Sequence, residues 1–254
     1  MTPEDAARAL AWLAEMGAEE IVGEAPVNRL TAAPPPAPAI LSPAPLGSGL
    51  RRNDGEIDLA SCQSLDDIAA ALSAFDACPL KKTATNLCFA DGNPQARVML
   101  VGEAPGRDED LQGKPFVGKS GQLLDRMLAA IGLSRKSLDR ESSVFITNTI
   151  FWRPPGNRTP TEAEAVMCLP FLMRTIEIHN PDFIVCAGGT PAQRLTGRSE
   201  GILKMRGKWT GIIVSGRRIP LLPTLHPAYL LRQPAHKRLA WRDLLSLRQA
   251  LDAH

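Results

Sequence analysis

The chain has 254 residues, 29 Lys and Arg against 27 Asp and Glu, a net charge of +2 and 44% apolar residues. That length allows one large domain plus an appendage, and the near-balanced charge neither demands nor excludes a polyanionic partner. No apolar run reaches the length of a membrane span. The start Met1-Thr2-Pro3-Glu4-Asp5 lacks the basic and apolar regions of a secretory signal. Five scattered cysteines fit a reducing cytoplasm better than a disulfide scaffold.

Residues 1–22 read as a helix, with Pro3 in its first turn and Leu10, Leu13 and Met16 on one stripe. Residues 23–60 are rich in Pro and Ala, including Pro34-Pro35-Pro36, and read as an extended linker. A main domain is expected over residues 61–254. It opens with a helix from Ser64 to Phe75, capped by Ser64 with Asp66 and Asp67 in its first turn.

Val98-Met99-Leu100-Val101 reads as a buried parallel strand that stops abruptly in Gly102-Glu103-Ala104-Pro105-Gly106. A rigid turn at the carboxyl end of a strand is where open α/β sheets place ligands. A second turn, Gly113-Lys114-Pro115-Phe116-Val117-Gly118, presents one aromatic ring, and a helix is expected from Ser120 to Ile131. Gly23-Glu24-Ala25-Pro26 repeats the letters of the first turn with no strand before them, so context and not the tetrad carries the signal.

Ser143–Ile150 is a second β-rich run, followed by a helix over Thr161–His179 with Thr161 and Glu164 as a capping box. Phe183–Ala187 is a third buried strand, and Gly188-Gly189-Thr190 opens a short helix. Trp209–Val214 and Arg218–Leu222 flank Ser215-Gly216 as a hairpin. A final helix spans Ala235–Ala253. The alternation implies α/β architecture, a parallel sheet covered on both faces. In such a sheet Glu103, Asn148 and His226, each following a strand, converge on one rim.

The ordered motifs GEAPG, GKPFVGKSGQLLD, TNTIFWRPPGNRTPT and LHPAYLLR resemble the uracil-DNA glycosylase superfamily, and family 4 most closely, over Leu72 to Ala250. The resemblance implies a three-layer α/β/α sandwich around a four-stranded parallel sheet, and excision of uracil from single- or double-stranded DNA. It implies that His226 donates to the departing uracil O2, that Asn148 pairs with the base's amide edge, and that Phe116 stacks on the base. Ala104 and Gly106 would line the same pocket. Glu103 would orient water or stabilise the cationic sugar, with Glu109 as a second candidate carboxylate. The alternative for both is a solvated acidic turn.

A base inside a duplex must be flipped out before it reaches such a pocket. Tyr229, Leu230 and Leu231, flanked by Arg232, offer wedges to fill the gap, and Lys119, Arg153, Arg158 and Lys237 are candidate phosphate contacts.

Family 4 carries a four-iron cluster on four cysteines, and the motifs place those positions at Phe75, Cys78, Trp152 and Cys168. Two thiolates do not supply four ligands. The expectation is therefore no metal and no cofactor, with Phe75 and Trp152 packing into the space. The expected partner is uracil-containing DNA, met by a monomer away from any membrane. The alternative is a DNA-binding adaptor that kept the fold without the chemistry.

Overall fold

The structure is a computed structural model that describes residues 58–253. The expected helix over residues 1–22, and the expected linker as far as residue 57, lie outside the described residues.

In chain order the strands are β1 (Ala90–Gly92), β2 (Val98–Gly102), β3 (Val144–Asn148), β4 (Phe183–Ala187), β5 (Thr210–Val214) and β6 (Arg217–Thr224). The helices are α1 (Leu65–Ala74), α2 (Arg107–Gln112), α3 (Lys119–Ala129), α4 (Glu162–His179), α5 (Gly189–Thr196), α6 (Ile202–Met205), α7 (Pro227–Arg232) and α8 (Lys237–Asp252).

Among the described residues the strands form one sheet in the order β1-β3-β2-β4-β6-β5. Its centre, β3-β2-β4-β6, is parallel throughout, as expected. The sheet is wider than expected because an antiparallel strand closes each edge: β1 on β3 and β5 on β6. The β5–β6 pair is the hairpin read from the sequence. Ser215 and Gly216 both take positive φ, 47° and 78°, the backbone that a tight two-residue hairpin turn requires. β1 has only three residues and no apolar alternation; its register with Phe145–Thr147 places it on the edge.

Alternation along each central strand divides the core between two faces. Met99 and Val101 of β2 join Phe145, Ile184 and Leu221 under α1 and α4, together with Ile68, Leu72 and Leu172. Val98 and Leu100 join Val144, Ile146, Val185 and Leu222 under α3 and α8, together with Leu123, Leu244 and Leu247. The result is a sheet between two helical layers.

Local signals place most helix starts. Ser64 Oγ accepts from the Asp67 amide at 3.1 Å while Asp67 accepts from the Ser64 amide at 2.9 Å. Thr161 and Glu164 make the same reciprocal pair at the head of α4, at 3.3 and 2.7 Å. Several starts differ from expectation. α3 begins at Lys119 behind Gly118, without a side-chain cap, so Ser120 lies inside the helix. The acidic stretch after Gly106 folds into α2, in which Glu109 and Asp110 are buried.

Candidate active site

The carboxyl ends of β2, β3, β4 and β6 open onto one cavity of about 550 Å³. Glu103, Ala104 and Gly106 line it from the end of β2, Asn148 from the end of β3, Gly188 from the end of β4, and His226 from beyond β6. Phe116, Tyr229, Arg158 and Arg232 complete its walls with Glu109. The structure thus gathers the expected pocket residues into one site. Sequence reasoning missed Ser120, Ile202 and the Gly188-Gly189 pair, which also line it. The two glycines follow a strand it had located, so the rim rule applied to β4 would have found them.

The strand ends are locked together beyond the sheet. The Thr149 amide donates to Gly102 O at 2.9 Å and the Ile150 amide to Glu103 O at 3.0 Å. Thr149 Oγ1 also donates to Glu103 O at 2.7 Å. Asn148 is only 2% exposed. Glycine is required at 102 because a Cβ there would collide with Asn148 Oδ1 and the edge of the Phe116 ring. At the far side, Thr224 Oγ1 at the end of β6 donates to Asp243 Oδ2 at 2.8 Å. Asp243, held also by Arg206, ties α8 to the strand that leads to His226.

His226 caps α7: its Nδ1 accepts from the Ala228 amide at 3.1 Å. An accepting Nδ1 has no proton, so the neutral ring carries its proton on Nε2. Burial, and then the nearby Arg232 charge, push its pKa down to about 4. At neutral pH the ring is an uncharged donor. Phe116 lies against it, ring centroids 5.4 Å apart and planes 29° from parallel.

The two candidate carboxylates differ. Glu103 is half-buried at the cavity wall, and among the described residues no hydrogen bond or ion pair engages its carboxylate. Glu109 is 9% exposed, and its Oε1 accepts from the amides of Val117 at 3.1 Å and Gly118 at 3.2 Å.

The proposed DNA contacts separate into groups. Lys119 is exposed at the head of α3, and half-buried Arg153 donates to Asn157 Oδ1 at 2.8 Å. Arg158 reaches the cavity, but both its terminal nitrogens bind Glu164, at 2.9 and 2.6 Å. That bond, ahead of the Thr161 bonds, holds Glu164 down to about 2. Arg158 therefore anchors the 153–160 loop to α4 with its charge neutralised. Lys237 lies beside a small apolar crevice between α3, α7 and α8, away from the main cavity.

Leu230 is a correction to the expected wedge. It is 1% exposed and packs with Leu123 and Leu244, so inserting it into DNA would empty the core. Leu231, 42% exposed, and exposed Arg232 are the outward residues of α7. Half-buried Tyr229 faces the cavity, its hydroxyl 2.6 Å from His236 Nδ1.

Phe75, Cys78, Trp152 and Cys168 come together in one buried cluster with Phe171. Phe75 lies 6.5 Å from the Trp152 ring and 4.9 Å from Phe171, between centroids. The neighbouring Cys78 thiol and burial raise the Cys168 thiol pKa. Two thiols and two aromatic rings do not fit a four-thiolate cluster. Among the described residues, no group of three or more His, Cys, Asp or Glu side chains is placed to hold a metal ion.

Residues 89–245 match the family model described as the uracil DNA glycosylase superfamily. The chain is 41% identical over 176 residues to a type-4 uracil-DNA glycosylase of Archaeoglobus fulgidus, covering 68% of this chain and 85% of that protein. It is 40% identical over 186 residues to the type-4 uracil-DNA glycosylase of Thermotoga maritima, covering 71% and 91%. With the enzyme of that name from Saccharolobus solfataricus the identity is 38% over 195 residues, covering 75% and 88%.

Proposed function

We propose, from the premise that the chain belongs to the uracil DNA glycosylase superfamily, that it hydrolyses the N-glycosidic bond of uracil in DNA and leaves an abasic sugar. The observation that carries this reading is the convergence of Asn148, Phe116, His226 and Glu103 on one cavity, each delivered by a different segment.

Breaking an N-glycosidic bond leaves positive charge on the sugar and negative charge on the base. Fixed groups aimed at those charges lower the barrier with little reorganisation. The Nε2–H of His226 donates to uracil O2 and strengthens that bond as the base becomes anionic. The Asn148 amide offers a donor and an acceptor to the O4 and N3–H edge. Cytosine presents the opposite pattern at that edge, so a fixed amide orientation discriminates against it. Glu103, whose carboxylate is uncommitted, orients the attacking water or offsets the cationic sugar.

The base reaches this cavity only after leaving the stack. Leu231 and Arg232 on the outer face of α7 fill the gap, while Lys119 and Arg153 meet phosphates. The named groups come from one chain, so the reading needs no second copy. Among the described residues no helix is long and apolar enough to cross a membrane.

The test is incubation with single- and double-stranded oligonucleotides carrying one uracil, followed by alkaline cleavage and a sizing gel. Cleavage at uracil, with none at cytosine or thymine, is the expected result. DNA that is bound but left intact would favour the adaptor reading.

A further inference from the structure

We propose that Glu109 is a positioning residue that fixes the stacking ring of Phe116, and is not the carboxylate that handles water; this rests on the glycosylase reading above. Phe116 has φ of 53°. A bulky side chain keeps that left-handed backbone only when its surroundings over-determine it.

The surroundings grip the peptide groups on both sides of Phe116. Before it, Pro115 O accepts from Arg135 Nη1 at 3.0 Å. Arg135 is itself held by Asp91 at 3.2 Å and Asp125 at 2.7 Å. After it, the amides of Val117 and Gly118 both donate to Glu109 Oε1. Beneath it, a Cβ on Gly121 would overlap Phe116 O, so α3 presses its backbone against the turn. The other Glu109 oxygen lies against the first turn of the site: a Cβ built on Gly106 would stand 2.8 Å from Oε2. One carboxylate thus spans the Glu103–Gly106 turn and the Phe116 turn. Its Oε1 serves two backbone amides in the structure as it stands, whereas Glu103 has no such engagement.

The two roles separate on substitution. Glu109→Gln keeps a carbonyl oxygen that can accept from both amides; Glu109→Ala keeps none. Single-turnover excision from a uracil-bearing single strand, followed across pH, reads the difference. For a clamp, Glu109→Gln retains activity to within about tenfold. Glu109→Ala loses about 100-fold, reckoned as about tenfold for each charge-assisted bond. The pH profile keeps its wild-type shape in both. Glu109→Ala added to Phe116→Ala then costs nothing beyond Phe116→Ala alone, because the clamp acts through that ring.

For a water-activating carboxylate, Glu109→Gln falls as far as Glu109→Ala, by about 100-fold or more, and the acidic limb of the profile disappears. The losses of Glu109→Ala and Phe116→Ala then multiply. Either result overturns the proposal. Amide hydrogen exchange at Val117 and Gly118 reads the clamp without catalysis. Protection in wild type and Glu109→Gln, lost in Glu109→Ala, supports it, and equal exchange in all three contradicts it. If wild-type protein releases no uracil while those amides stay protected, the glycosylase reading fails and the clamp stands. Should Glu109→Ala not fold, the Glu109→Gln comparison carries the test alone.

Discussion

Phe116 and His226 face each other across 5.4 Å between ring centroids, their planes 29° from parallel. A base inserted between two rings needs roughly twice the 3.5–4.0 Å carbon contact distance, so uracil does not enter between them. On the proposed reading it stacks on Phe116 with His226 at its rim, which suits a ring that donates in its own plane from Nε2. The expected consequence is a division of labour: Phe116 and Asn148 select and hold the base, and His226 serves the departing charge.

Asn148→Ala should therefore lower selectivity as well as rate. Competition between uracil- and cytosine-containing strands checks it. The ratio of their excision rates should narrow, whereas His226→Ala should lower the rate and leave that ratio in place. A His226→Ala variant that cleaves at wild-type speed would mean the site is misassigned.

Stability should fall as pH drops from about 6.5 towards 4. Burial holds His179 and His226 down to about 4, so in that window the unfolded chain binds protons that the folded chain refuses. Unfolding then becomes easier with each step of acidification. Above the ordinary histidine range both states are neutral and this contribution is flat. Urea midpoints at pH 7, 6 and 5 measure it. His179, buried with its ring 4.5 Å from Phe145, should account for part of the slope, so His179→Phe should flatten it.

Adjacent leucines on α7 should behave oppositely. Leu230→Ala removes a core side chain and should cost about 2–5 kcal/mol of stability. Leu231→Ala should leave stability within about 0.5 kcal/mol and slow excision from duplex more than from single strands, since only the duplex leaves a gap to fill. Thermal melts and paired kinetic assays distinguish the two.

Trp152 is 2% exposed and joins the segment before β1 to the loop after Asn148. Trp152→Ala should cost about 3–5 kcal/mol and loosen the loop bearing Arg153 and Arg158. Activity should fall in step with stability and recover as temperature is lowered. An iron assay on purified protein bears on the same cluster, whose donor set predicts no stoichiometric iron. A melt unchanged by Trp152→Ala, or about four irons per chain, would contradict this account.

The limits of what the sequence disclosed follow from where each signal lies. The limits of β4, the N-cap at Ser64 and the capping box at Thr161 are local, written in adjacent residues, and they were legible. α2 was not: its Asp and Glu look like surface charges, and only tertiary contact shows Glu109 and Asp110 accepting backbone amides. The neutralisation of Arg158 by Glu164 was hidden because each residue had a sufficient local reading, as a loop cation and as a helix cap. Leu230 and Leu231 read alike as letters, and only the packing of α7 on α3 and α8 assigns one to the core. The strand-end rule did locate Glu103, Asn148 and His226, because a parallel sheet brings its carboxyl ends together whatever its loops do.

The most direct measurement is release of free uracil from a single-stranded oligonucleotide by wild-type protein and by His226→Ala under single-turnover conditions. The account predicts rapid release by wild type and a loss of about 10²–10³ in rate for His226→Ala, with DNA affinity unchanged. No uracil released by wild-type protein that binds the strand, or equal rates for the two proteins, would contradict it.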